Sequence, residues 1–163
     1  MKQWVALVAR LVVGGVWIAA GLAKITNPLG SVQAVQAYEL LPNSLAVPIG
    51  YILPPLEIVV GLALVVGVLT RGAALISAIL FVAFIIGIAS AWARGLEIDC
   101  GCFGGGGYDP DASSKYPWEI ARDVALLAAS LFLVWVGSRR WSLDSLLFRT
   151  TSREDREHDL EGV

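Results

Sequence analysis

The chain has 163 residues, of which 56% are hydrophobic and only 16% charged, so its first 137 residues do not read as a soluble enzyme. Eleven of the 26 charged side chains fall in residues 138–163. A net charge of −2 with no basic stripe excludes nucleic acid as a partner, and the size suits one membrane domain without a separate soluble catalytic domain.

In chain order, four apolar stretches approach the roughly 20 residues needed to cross a bilayer. The first runs from Trp4 to Ala23 and is interrupted only by Arg10. The second lies between Leu45 and Leu69 and contains Pro48, Pro54, Pro55 and Glu57. It reads either as a kinked helix from Val47 to Leu69 or as a shorter span starting at Pro54, with Leu45 to Leu53 at the interface. The third, Ala73 to Trp92, carries no charge. The fourth, Trp118 to Val136, has Glu119, Arg122 and Asp123 in its first two turns. Runs of this length in lipid satisfy their backbone as helices, not as barrel strands. The first span is retained here as a helix and not as a cleaved signal, because its small residues Ala19-Ala20-Gly21 lie inside the apolar run.

The predicted architecture is all-α: an integral membrane bundle of four transmembrane helices over residues 1–137, followed by a charged, solvated cytoplasmic tail over 138–163. Lys2, Arg71, Arg139 and Arg140 flank the spans on one side, and Lys24, Arg94 and Lys115 on the other, where acidic residues accompany them. The positive-inside rule then puts both termini in the cytoplasm of a multi-pass plasma-membrane protein and the loop Ala93–Pro117 outside. Trp4 and Trp141 would mark the inner interface, Trp92 and Trp118 the outer one. Arg10 is expected to snorkel inward or to find a partner, which is Glu57 if the second span is the long version. Gly15, Ala19 and Ala23, four apart, are expected to provide a close-packing helix face.

The chemistry concentrates in Asp99-Cys100-Gly101-Cys102-Phe103-Gly104. Two thiols one glycine apart, in a loop facing an oxidising compartment, are prone to pair. A Cys-x-Cys ring is tight, and a strained, exposed disulfide exchanges readily. The pair reads as a redox centre, against free interfacial cysteines, a static disulfide, or a metal site that needs a partner chain; no metal site is expected within this chain. Gly104 to Gly107 reads as a flexible hinge. Arg122 or Lys24 is expected to favour the thiolate of Cys100 or Cys102, with Asp123 or Glu57 as counter-charge.

The pattern resembles the MauE/DoxX family of small membrane proteins, most closely its MauE branch. The matching features are Gly21-Leu22-Ala23-Lys24, Tyr38 with Pro42, Pro54-Pro55-Leu56-Glu57 with Gly61, Cys100-Gly101-Cys102-Phe103-Gly104, and Trp118 with Arg122-Asp123. The resemblance implies a four-helix membrane bundle and a part in maturing a disulfide-rich periplasmic enzyme, methylamine dehydrogenase. More distantly the thiol pair is similar to quinone-linked disulfide-forming proteins of the DsbB and vitamin K epoxide reductase type. Those use Cys-x-x-Cys and a second cysteine pair, and this chain has neither. The expected function is therefore a membrane-embedded thiol–disulfide redox helper for extracytoplasmic or respiratory-chain proteins. It would hold no cofactor of its own, touch membrane lipid, pass electrons towards a quinone, and rely on a thioredoxin-fold partner. The alternative is a non-catalytic accessory subunit of a larger respiratory complex, the supercomplex of an actinobacterial quinol or cytochrome oxidase. A small transporter or channel is a weaker third reading, because the third span carries no polar path.

Overall fold

A computed structural model describes residues 2–136; the predicted tail, Arg139, Arg140 and Trp141 lie outside the described residues. Five helices follow one another: α1 (Lys2–Ile25), α2 (Pro28–Ala37), α3 (Asn43–Val66), α4 (Thr70–Ala93) and α5 (Ala112–Val136). The described residues contain no strand, only one bridge between Ile98 and Tyr108. Three helices (α1, α3 and α4) are long and apolar enough to cross a membrane. The predicted all-helical membrane bundle is thus the fold, and the protein is a multi-pass membrane protein in contact with lipid. α5 has the same length, but its first half carries Lys115, Glu119, Arg122 and Asp123.

α1 and α3 run antiparallel and almost touch. A Cβ on Gly14 would stand 2.8 Å from the Gly61 carbonyl, and one on Gly61 would stand 2.7 Å from the Gly14 carbonyl. Further along, a Cβ on Gly21 would meet the Pro54 carbonyl at 2.8 Å. Close backbone approach through glycine drives helix pairing where lipid removes the hydrophobic incentive. The predicted Gly15, Ala19, Ala23 face is not the one used. Gly15 has nothing near its Cβ position, and Gly15 and Ala19 are exposed.

The second span is the long version, and it begins earlier than expected, at Asn43. At Pro54 another group takes up the carbonyl that the proline releases. Pro54 has no N–H to give the Gly50 carbonyl four residues back, and the Ser31 hydroxyl of α2 donates to that carbonyl at 2.8 Å. A sequence reading without α2 misses this support. Its signal is Asn27-Pro28: the Asn27 side chain accepts from the Gly30 N–H at 3.1 Å and Pro28 fills the first helical position.

At the opposite end of α1, Arg10 is buried, and its partner is the end of α3, not Glu57. Its Nε donates to the Leu64 carbonyl at 2.9 Å, and Nη2 lies 3.3 Å from that of Val65. The carbonyl end of a helix favours a cation. Gly67 closes α3 at φ +82°, and a Cβ there would collide with the guanidinium.

The interior joins α1, α4 and α5. Trp17 stacks on Phe81 with centroids 4.5 Å apart and donates to Ser77 Oγ at 2.7 Å. Ser77 lies 2.9 Å from Ser130 Oγ, which donates to the Leu126 carbonyl. Leucine, isoleucine and valine side chains populate the outer surface instead. Trp4 and Trp135 mark one end of the bundle and Trp92 and Trp118 the other, all four exposed.

Candidate functional site

Between α4 and α5 the chain folds back on itself. The Asp99 N–H donates to the Gly107 carbonyl at 3.0 Å and the Asp109 N–H to the Glu97 carbonyl at 2.9 Å. Tyr116 of α5 pins the base of this loop: its hydroxyl lies 2.7 and 2.9 Å from the carbonyls of Leu96 and Ile98. An ion pair of 2.6 Å between Lys115 and Asp109 closes the outer rim.

The Cys100-Gly101-Cys102 turn hangs inside this frame. Asp99 Oδ1 accepts the Gly101 N–H at 2.7 Å, and the Tyr38 hydroxyl donates to the Cys100 carbonyl at 2.8 Å. Gly101 sits at φ +66°, and a Cβ there would stand 2.5 Å from that of Ala34 on α2. Gly104, at φ +85°, leaves no room for a Cβ against the Ala23 carbonyl of α1, nor does Gly106 against the Gly30 carbonyl. The expected flexible hinge is thus a correction. These glycines let the loop lie flat on α1 and α2, and the thiols are held rather than swung.

Cys100 and Cys102 are free thiols, 9% and 7% exposed. The Cys102 N–H points at Cys100 Sγ at 3.4 Å. A hydrogen bond with the Cys102 sulfur that keeps the proton on Cys100, with burial second, pushes the Cys100 thiol well above its ordinary range. Ile88, Ala91, Ala112 and Tyr116 pack around the pair.

A buried ionic layer lies beneath. Lys24 Nζ sits 2.5 Å from Glu57 Oε1 and 5.2 Å from the Phe84 ring centroid. On α5, Arg122 binds Asp123 Oδ1 at 3.0 Å. Its guanidinium also covers the ring of Phe103, the residue after Cys102, at 5.1 Å. The structure therefore brings Arg122 to the thiol loop, with Asp123 as its counter-charge. Lys24 is committed to Glu57. Glu57 Oε2, Asp123 Oδ2 and Glu119 Oε2 are enclosed without a hydrogen-bond partner. Sequence reasoning noted Glu119 only as a charge in the fourth span, yet its Oε2 is enclosed within the fold. The helical spacing from Tyr116 to Glu119 and Asp123 on one face of α5 is the signal that could have found it. No group of metal-ligating side chains occurs among the described residues.

The thiol loop on its ionic layer is also where the comparisons with known proteins bear. The family described as methylamine utilisation protein MauE matches residues 2–136, all five helices and the thiol loop included. The chain belongs to the MauE family. It is 35% identical over 134 residues to the methylamine utilization protein MauE of Methylophilus methylotrophus, covering 81% of this chain and 68% of that protein. It is 33% identical over 119 residues to that of Methylorubrum extorquens, covering 72% of this chain. The chain spans 61% of the length of this second MauE protein. No solved structure matches this MauE-family chain.

Proposed function

We propose that this chain is a membrane-embedded thiol–disulfide helper in the maturation of proteins for methylamine utilisation. Its termini lie in the cytoplasm, α5 serves as a fourth crossing, and the Cys100–Cys102 loop lies outside the plasma membrane. The observation that carries this reading is the pairing itself. Two thiols are held against each other by a fixed loop, above a layer of buried charge that a passive membrane helix would not retain.

Each exchange moves two electrons between the Cys100–Cys102 pair and a cysteine pair of a protein partner, for which a thioredoxin-fold protein is the fitting class. No residue is assigned to hold a quinone, and no step is routed through one. The burial of both sulfurs favours the second reading, a non-catalytic subunit bound to a larger complex with its thiols held static.

The redox state in cells decides between them. After acid quenching and alkylation, the helper predicts a fraction of chains with an internal disulfide, which falls when an impermeant reductant is supplied outside. A pair that is fully reduced with and without the reductant supports the accessory subunit and defeats the helper.

A further inference from the structure

The buried charges beneath the thiol loop share one level of the bundle. On α1, Arg10, Trp17 and Lys24 stand seven residues apart and are all buried. Seven residues are two helical turns, about 10.5 Å, so the three lie along one face. Trp17 bonds Ser77 of α4; two turns on, Lys24 lies over Phe84, itself two turns on from Ser77. α5 runs the other way beside α4: Ser130 meets Ser77, while Tyr116 packs with Ile88 and Ala91. Asp123 is midway between Ser130 and Tyr116, just as Phe84 is midway between Ser77 and Ala91, and Ser130, Asp123 and Tyr116 are all buried. Asp123 therefore stands at the level of Lys24, Glu57 and Phe84, and α1 packs against both α3 and α5.

The hydrogen bonds at this level do not close. The side chains of Lys24, Glu57 and Asp123 are at most 3% exposed. Glu57 Oε1 accepts from Lys24 and Asp123 Oδ1 from Arg122, while Glu57 Oε2 and Asp123 Oδ2 are enclosed with no donor. The Lys24 ammonium has three N–H groups and gives one to Glu57. Buried polar atoms in folded chains are satisfied, so two acceptors and a spare donor call for a common partner. The charges already balance, two cations against two carboxylates. A metal ion or an extra proton would leave net positive charge inside the membrane, and an anion net negative charge. What fits is a small neutral molecule with two donors and a lone pair.

We infer that one water molecule is bound between Glu57 and Asp123, beside Lys24. It donates one hydrogen to Glu57 Oε2 and the other to Asp123 Oδ2, and it accepts from Lys24. This water joins the pair that ties α1 to α3 with the pair on α5 whose arginine covers Phe103 of the thiol loop. Glu119, whose Oε2 is also enclosed, lies one turn nearer the loop and is only partly buried, so it is outside this level. The inference is independent of the thiol–disulfide reading: thiols that never cycle leave it unchanged.

Crystals of the full chain grown from lipid test it, in a map that resolves ordered water elsewhere. The expected result is a solvent peak within hydrogen-bond distance of Glu57 Oε2, Asp123 Oδ2 and Lys24 Nζ. A map with no such peak, with the two carboxyl groups touching each other or each bonded to a protein donor, overturns the inference. So does an anomalous peak at that position in crystals soaked with rubidium, which would make the ligand a cation. A solution measurement uses the small number of lysines, Lys2, Lys24 and Lys115. In chains carrying isotope-labelled lysine, the Lys24 ammonium protons should show a rotating-frame cross-peak to water of dipolar sign, identified by its loss in Lys24→Arg. A Lys24 signal with only exchange-sign transfer, or none, counts against a held water.

Discussion

Lys24 Nζ and Glu57 Oε1 meet at 2.5 Å between α1 and α3, with both side chains almost completely shielded from solvent. Two charges so enclosed are each expensive, and their mutual attraction offsets that cost only while both are present. Each pins its helix, so the pair fixes the depth at which α1 meets α3. It also fixes where the thiol loop, which rests on the end of α1, is seated.

Removing one partner should therefore cost more than removing both. Lys24→Met or Glu57→Gln alone is expected to destabilise by about 3–5 kcal/mol, and the double substitution Lys24→Met/Glu57→Leu by much less. Thermal unfolding in detergent reads the difference. A double variant as unstable as the sum of the singles contradicts the pairing.

The α1–α3 contact makes a sharper contrast between adjacent glycines. Gly14→Val forces a Cβ onto the Gly61 carbonyl and is expected to cost at least about 1–3 kcal/mol, whereas Gly15→Val meets nothing. Equal melting temperatures for the two variants would show that the interface lies elsewhere.

The all-helical membrane fold, three long apolar helices and the thiol motif were legible because membrane length and cysteine spacing are written locally, whereas α5 begins at Ala112, six residues before the expected Trp118. The course of α3 was not. Pro54 allows a helix there only because Ser31, from a helix twenty residues earlier, bonds the Gly50 carbonyl. Ser31→Ala should thus lower stability by about 1–3 kcal/mol. Arg10 illustrates the same limit. Its partners are backbone carbonyls of Leu64 and Val65, which no residue type announces. Glu119 was visible as a charge, but the enclosure of its Oε2 depends on how the chain packs around α5.

The loop should open on the acid side. The Lys115 ammonium beside Asp109, aided by the Asp111 N–H, holds the Asp109 carboxyl below its ordinary value. A lowered carboxyl contributes stability that is fully present above the ordinary value and is lost as pH falls through the folded one. Hydrogen exchange at the Asp99 and Asp109 amides, corrected for the intrinsic rate, should accelerate severalfold across that acidic window. Asp109→Asn should exchange faster at neutral pH and lack the transition. A wild-type loop whose protection is flat with pH contradicts this role.

The side of the membrane is testable at Tyr108, which is 76% exposed at the loop's outer rim. With Cys100 and Cys102 replaced by Ser, Tyr108→Cys should react with an impermeant maleimide in intact cells. Labelling only after lysis would place the loop in the cytoplasm.

The central claim is that the two thiols exchange with a protein partner. Cys102→Ser leaves Cys100 able to begin the exchange but not to resolve it. Expressed in cells and run without reductant after acid quenching, this variant should appear as a reductant-sensitive adduct with an extracytoplasmic protein, absent when both cysteines are replaced. If neither Cys102→Ser nor Cys100→Ser captures any protein, and the wild-type pair stays reduced, the loop is a structural element and the redox account is wrong.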